Sequence, residues 1–205
     1  MNKHLILASG SPRRRALLAQ MGVPFEVIKS DIDETPRPQE APLSYALRLA
    51  QEKAQAVAQR LQPAPASPTI LSADTVVILA ADTMGIDEAG EILGKPADPA
   101  EARAMLQRLR GRTHIVCTAF NLLDCTTQRQ HSQTVQTRVT MRLYSDAEID
   151  AYIATGDPFD KAGGYAIQHE GFHPVAHIEG SHSNVVGLPY DEVRAALQAF
   201  GVLTL

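Results

Sequence analysis

Leu5-Ile6-Leu7-Ala8-Ser9-Gly10-Ser11-Pro12-Arg13-Arg14-Arg15-Ala16-Leu17-Leu18 is the stretch from which the rest of the chain is read. A short apolar run, consistent with a buried strand, breaks at a Ser-Gly-Ser turn. Ser11 then suits a helix N-cap and Pro12 the first helical position. Leu17, Leu18 and Met21 supply an apolar face before Gly22 ends the helix. The charge here is unusual. Arg13, Arg14 and Arg15 crowd a first turn that is already positive, at roughly 0.3–1 kcal/mol per cation. A docked anion relieves that cost, and phosphate commonly occupies helix N-termini; a solvated basic helix end is the plainer alternative. The turn has neither the G-x-x-x-x-G-K-[ST] nor the G-x-G-x-x-G spacing, so any phosphate site is of another kind.

Composition narrows the classes. The 205 residues suffice for one α/β domain, with two lobes around one cleft as a variant, and 44% hydrophobic residues speak for a folded core. A net charge of −4 argues against a general nucleic-acid binder, and aromatic residues at 5% are too sparse for stacking platforms. Cys117 and Cys125 form no CxxC pair, so no disulfide framework or thiolate metal site is implied. No secretory signal and no apolar run near membrane length is present, and the expectation is a cytoplasmic protein without a membrane partner.

Working outward, Phe25–Ile28 reads as a second strand, and Asp31–Glu34 with Pro36-Arg37-Pro38 as an acidic, proline-punctuated loop. Leu43 to Leu61 is an amphipathic helix with Leu47, Ala50, Ala54 and Val57 at helical spacing; Pro63–Pro68 is a loop. Ile70–Leu79 is a strand, and Asp82–Ile92 returns it as a hairpin into Leu93-Gly94-Lys95-Pro96. Asp98–Glu101 reads as a capping box, opening a helix with Ala104, Met105 and Leu109 inward and Gly111 at its end. Thr113–Asp124 and Thr134–Tyr144 read as an antiparallel pair around a Thr126–Ser132 turn. Ser145–Glu148 is a second capping box, for a helix burying Ile149, Tyr152 and Ile153 and ending at Gly156. An irregular Asp157–Gln168 stretch, a strand around Pro174–Ile178, a Gly/Ser/His loop and a helix from Pro189 to Phe200 complete the chain. The fold class is α/β, with a mixed, partly antiparallel sheet flanked by helices.

Polar residues appear where structure alone does not demand them. Asp74-Thr75 interrupts an apolar strand, and a buried carboxylate is costly unless paired or cation-bound. It is either a cap at a strand end or a rigidly held metal ligand or general base. In Asp157–Gln168, paired glycines let backbone approach a ligand, Lys161 offers a point charge for phosphate, and Gln168 can read a base edge. A plain glycine-bearing surface loop is the alternative there. Glu34, Lys53 and Lys95 are unremarkable singly, and a helical lysine such as Lys53 is ordinarily solvated. His169, His173, His177 and His182 cluster in sequence, but Gly171 and Pro174 prevent one helical face, and no zinc site is assigned.

Together these stretches resemble the Maf family of nucleoside triphosphate pyrophosphatases, fold relatives of the inosine triphosphatase-like enzymes. The likeness runs nearly end to end. It rests on Ala8–Arg14, the Asp31–Glu34 loop, Arg48-Leu49-Ala50 with Lys53-Ala54, Ala73-Asp74-Thr75-Val76, Leu93–Pro96, Leu109–His114, Asp160–Gly163 with Tyr165 and Gln168, and Val186–Pro189. It implies a central cleft, hydrolysis of a nucleotide between its α- and β-phosphates, a divalent cation (Mg²⁺ or Mn²⁺) and a homodimer. By the same resemblance Asp74 is the catalytic carboxylate, Glu34 and Asp74 hold the metal, and Lys53 and Lys95 act at the phosphates. Ser9, Ser11, Arg13, Arg14, Thr75, Lys161 and Gln168 then bind substrate. Arg13, Thr75 and Gln168 match the dTTP/UTP group, whereas the 7-methyl-GTP type carries an aromatic residue at the first position and Ser-Asp-Gln around the aspartate. The pyrimidine group often reads Ala-Gly-Ala-Tyr-Gly-Ile-Gln-Gly where this chain has Ala162-Gly163-Gly164-Tyr165-Ala166-Ile167-Gln168-His169. The other readings are a broad-specificity or 7-methyl-GTP pyrophosphatase, or a non-catalytic nucleotide-binding regulator of cell division.

Overall fold

The computed structural model describes residues 4–61, 68–79 and 91–204. Strand β1 (Leu5–Leu7) runs parallel to β2 (Phe25–Val27) on one side and β3 (Thr69–Leu79) on the other, with Leu7 opposite both Val27 and Leu71. Both connections are helical crossovers, α1 (Pro12–Ala19) and α2 (Pro42–Arg60), as parallel neighbours require. Strand β4 (Glu91–Leu93) returns antiparallel on β3 with Val77 opposite Leu93, the expected hairpin; its turn over 80–90 and most of the Pro63–Pro68 loop lie outside the described residues. Helix α3 (Pro99–Leu109) precedes β5 (Thr113–Asp124) and β6 (Gln130–Met141). Helix α4 (Asp146–Ala154), two short 3₁₀ turns, β7 (Val175–Glu179), α5 (His182–Val186) and α6 (Tyr190–Ala199) follow. Strand neighbours run β2-β1-β3-β5-β6-β7, with β4 on β3 and β7 antiparallel to β6. The mixed, partly antiparallel α/β sheet is therefore present.

Two compact units share these strands: residues 1–74, 118–135 and 187–205 form one, and 75–117 with 136–186 the other. The first is centred on Leu5, Leu7, Leu18, Leu71, Phe120, Val193 and Leu197. The second is centred on Leu106, Leu109, Val139, Ile149, Tyr152 and Phe172. Buried runs in β1 and β5 fit strands covered on both faces.

Several local expectations shift. In α3 the buried stripe is Ala102, Met105, Leu106 and Leu109; Ala104 faces solvent, because a 3.6-residue period through Met105 and Leu109 selects 102 and 106 instead. Asp98 caps Glu101 N at 2.8 Å, but Glu101 reaches back to Ala97 N rather than completing a reciprocal box on Asp98. At α4 the box is complete, with Ser145 and Glu148 each bonding the other's backbone N–H. Strand β6 starts at Gln130, four residues before the expected Thr134, because the turn closes early: Asp124 Oδ1 accepts from Thr126 N and Thr127 N. The Gly/Ser/His loop contains α5.

Candidate active site

Ser9 lies two residues past β1 and Asp74 within β3, three residues past its last parallel pairing with β1 at Leu71, so both stand at the carboxyl end of the parallel β1–β3 ladder, where α/β sheets present ligand-binding groups. The β1–α1 turn folds as expected. Ser11 caps Arg14 N, Pro12 takes the first helical position, and Gly22 at φ 71° lies just beyond the helix end. Ser9, nearly buried, accepts from Ser11 N at 3.3 Å. The outcome for Arg14 differs from that of a solvated helix end. Its Nε donates to Gly187 O at 2.8 Å, and its Nη1 to Ala73 O at 2.7 Å and Ser9 Oγ at 3.3 Å. Burial lowers the Arg14 pKa from its ordinary value, and the Asp74 charge opposes that shift. This guanidinium ties the turn to the residue just before Asp74.

Asp74 is 8% exposed and continues β3 without a break, so it is not a strand-end cap. Its Oδ1 accepts from Lys53 Nζ at 2.8 Å, and the same ammonium lies 2.9 Å from Glu34 Oε1. Lys53 is 6% exposed, against the expectation of a solvated helical lysine. The buried stripe of α2 is Ala46, Leu49, Ala50, Lys53, Ala54 and Val57, and Lys53 sits in its middle; Leu47, expected inward, is only half-buried. A lysine there is tolerated because two carboxylates meet it. Tyr45 donates its phenol to Glu34 O at 2.9 Å, and its pKa is pushed up to about 12, by burial first and then by Asp74 and Glu34. Tyr45 was not singled out from sequence; its signal is its place eight residues before Lys53 on the same helix.

These atoms bear on the implied divalent cation. Glu34 and Asp74 already converge on one cation, the ammonium of Lys53, and both offer hard oxygen ligands. Among the described residues no group of three or more His, Cys, Asp or Glu is arranged to hold a metal ion. Two carboxylates with substrate phosphates completing the shell is the habit of Mg²⁺ rather than of an all-protein cage, so the residues fit such an ion.

In the second unit, Lys95 and Gln168 are exposed and Thr75 is half-buried. The Gly94 turn meets the 162–164 turn through Gly163 N donating to Gly94 O at 2.9 Å, which brings the segments bearing Lys95 and Lys161 side by side. Gly164, at φ +68°, lies against Pro96 and takes a left-handed backbone that side chains disfavour. Lys161 is 8% exposed; its ammonium donates to Asp157 O at 2.6 Å, Asp157 Oδ1 at 2.8 Å and Asp160 Oδ1 at 2.6 Å, and so closes its own loop. Tyr152 donates to Asp157 Oδ2 at 2.8 Å and accepts from Ala166 N at 3.0 Å, pinning the loop at both ends. His114 Nε2 bonds the Tyr165 phenol at 2.8 Å. The four clustered histidines do not converge: His169 packs edge-on against Tyr152, and His177 stands exposed near Glu179.

No helix among the described residues is long and apolar enough to cross a membrane. Comparison with known proteins places the chain in a family. The family model described as Maf-like protein matches residues 4–200. The dTTP/UTP pyrophosphatase of Myxococcus xanthus is 49% identical over 198 residues, 97% of this chain and 93% of that protein. That of Syntrophus aciditrophicus is 44% identical over 204 residues, 100% of this chain and 93% of that protein. Among solved structures, the Staphylococcus aureus Ham1 protein is 14% identical with a TM-score of 0.49, covering 97% of this chain and all of that one. With a carboxylate pair on a buried lysine, an arginine-stapled Ser-Gly-Ser turn and a family match spanning both, this chain belongs to the Maf family.

Proposed function

We propose that the protein is a nucleoside triphosphate pyrophosphatase that hydrolyses dTTP and UTP to the monophosphate and pyrophosphate. The observation that carries this reading is the Glu34–Lys53–Asp74 cluster beside a phosphate-suited helix N-terminus, in a chain 44–49% identical to proteins named for that reaction. Water attacks the α-phosphorus, the bridging bond to the β-phosphate breaks, and pyrophosphate leaves. Asp74, held rigid in β3, accepts the proton of the attacking water. The Lys53 ammonium, 2.8 Å from Asp74 Oδ1 and 2.9 Å from Glu34 Oε1, orients Asp74 and supplies positive charge beside the phosphates. Arg13, Ser11 and the α1 N-terminus bind phosphate oxygens, with Ser9 and Arg14 shaping the turn; the exposed Lys95 adds a further phosphate-binding charge, whereas Lys161, read from sequence as a phosphate ligand, spends its three donors on Asp157 and Asp160 and shapes the 157–168 loop. Glu34 and Asp74 would hold Mg²⁺ or Mn²⁺, which supplies charge neutralisation at the phosphates. Thr75 and Gln168, with Arg13, favour the pyrimidine base.

The test is pyrophosphate release with Mg²⁺ from dTTP, UTP, CTP, the purine triphosphates and 7-methyl-GTP, with Asp74→Asn in parallel. Strong dTTP and UTP turnover that vanishes in the variant, with nucleotide still bound, supports mechanism and specificity together. Even turnover across bases removes the pyrimidine claim. Near-normal turnover by Asp74→Asn removes the catalytic assignment.

A further inference from the structure

The loop that carries Glu34 has no strand or helix of its own between β2 and α2, and its Glu34 side chain is 48% exposed. Yet Glu34 reaches the buried Lys53 at 2.9 Å, so something outside the loop must hold it there. Helix α2 does so along its length. Near its C-terminus, Arg60 donates to Lys29 O at 2.7 Å and Ser30 O at 2.6 Å. Near its N-terminus, Tyr45 donates to Glu34 O at 2.9 Å and Arg48 Nη2 to Thr35 O at 3.3 Å, on consecutive carbonyls. Arg48 is the hub. Its Nε and Nη2 form a fork on Glu40 at 2.6 and 2.7 Å, while Nη1 takes Glu52 at 2.9 Å. Glu52 also binds Arg37, whose own N–H donates to Glu40 Oε2. Arg48 and Glu40 side chains are 13% and 10% exposed, so the pair is partly withdrawn from solvent, and its two-bond geometry distinguishes it from a loose surface ion pair. The fork holds the Glu40 pKa down at about 2.

We propose that Arg48 is a positioning residue for Glu34: it anchors the 35–40 segment to α2 and thereby sets the Glu34 carboxylate against Lys53 and the cation. Arg48 touches no substrate in this scheme; it acts through the loop. The planar fork matters as much as the charge, because a lysine ammonium cannot grip Glu40 with two parallel bonds while also meeting Glu52 and Thr35 O. The proposal rests on reading Glu34 as an active-site carboxylate, and its two halves, loop placement and cation binding, are measured separately.

Hydrogen exchange of the 29–40 peptide and Mn²⁺ binding followed by the loss of the free-ion electron paramagnetic resonance signal are read for wild type, Arg48→Met, Arg48→Lys, Tyr45→Phe, Glu34→Gln and the Glu34→Gln/Arg48→Met double variant. Arg48→Met speeds exchange over 31–40 roughly tenfold while peptides of β3 keep their protection, and it weakens Mn²⁺ binding by roughly tenfold or more, as loss of a ligand-orienting partner does. Glu34→Gln weakens Mn²⁺ binding to a similar degree, and the double variant is no worse than either single one. Arg48→Lys does not restore protection. Tyr45→Phe, which removes one bond to the loop, moves both readouts in the same direction by a smaller factor and carries the test if Arg48→Met fails to fold. Unchanged exchange in the Arg48 variants, or Mn²⁺ losses that multiply in the double variant, overturns the proposal. A wild-type chain that releases no pyrophosphate overturns the functional reading instead, and exchange then still decides whether Arg48 places the loop.

Discussion

Lys53 shows how much one side chain depends on its partners. Its ammonium is buried between Asp74 at 2.8 Å and Glu34 at 2.9 Å, and Asp74 is itself nearly buried. Removing one member of such a pair leaves an uncompensated charge, so Lys53→Met should lose about 3 kcal/mol of stability as well as turnover. Urea unfolding checks this through a cycle with Asp74→Asn. The double variant should recover part of the loss, because the neutral amide no longer needs the ammonium. Full additivity would mean that the pair contributes nothing jointly. His114 carries the clearest pH dependence. It is 1% exposed, its Nδ1 has no hydrogen-bond partner among the described residues, and burial lowers its pKa from 6.5 to about 4. The unfolded chain therefore takes up the proton first as pH falls. Stability from this residue is fully present above pH 6.5 and drains between 6.5 and 4, by up to about 3 kcal/mol. Unfolding free energies of wild type and His114→Gln should thus converge as pH drops from 7 to 4.5, and a constant gap would refute the assignment.

At the scale of elements, α2 does two jobs with two faces. One buries Ala46, Leu49, Ala50, Ala54 and Val57, with Lys53 set among them; the other grips the 29–40 loop through Tyr45, Arg48 and Arg60. The 157–168 segment is likewise held by neighbours rather than by its own regularity, through Tyr152 at both ends and His114 on Tyr165. Tyr152→Phe removes a phenol that joins Asp157 to Ala166 N, so both groups lose a partner. The expected cost is about 1–2 kcal/mol, with faster hydrogen exchange confined to 157–168. If the loop presents Gln168 to a base, the dTTP-over-purine ratio of kcat/KM falls in the same variant, while turnover of the preferred substrate falls less. An unchanged ratio would detach this loop from base choice.

At the scale of the molecule, neither unit is a contiguous stretch. The chain passes between them within β3, β5 and β6 and again before Gly187. The last segment supplies Leu188, Val193, Ala196, Leu197 and Phe200 to the first unit's core, alongside Leu5 and Leu7 of the strand that leads to Ser9 and Leu71 of the strand that carries Asp74. A chain ending at Val186 should therefore lose cooperative unfolding by circular dichroism and should fail to bind nucleotide, although every proposed site residue is retained. Nucleotide binding by that shortened chain would show that α6 is dispensable for the site.

Much of this protein was already legible in the residues. Periodicity and caps located the strands and every α-helix but the short α5 within a few residues, because Ser11, Pro12 and the Ser145–Glu148 box act locally on their own backbone. Motif order was enough to indicate the family, and Asp74 drew notice because a carboxylate in an apolar strand needs a partner. Which partner it has was a tertiary matter. Lys53, Glu34 and Asp74 lie far apart in sequence, and only the pairing of β1 with β3 and the packing of α2 bring their charges within 3 Å. The same holds for Arg14, whose charge pointed to an anion site while its donors go to Gly187 O, Ala73 O and Ser9. It holds too for Arg48, a helical arginine whose fork on Glu40 appears only once the loop lies against the helix. Local order follows from bonds between near neighbours in the chain, whereas the Glu34–Lys53–Asp74 cluster is made by long-range contacts that no spacing in the sequence encodes.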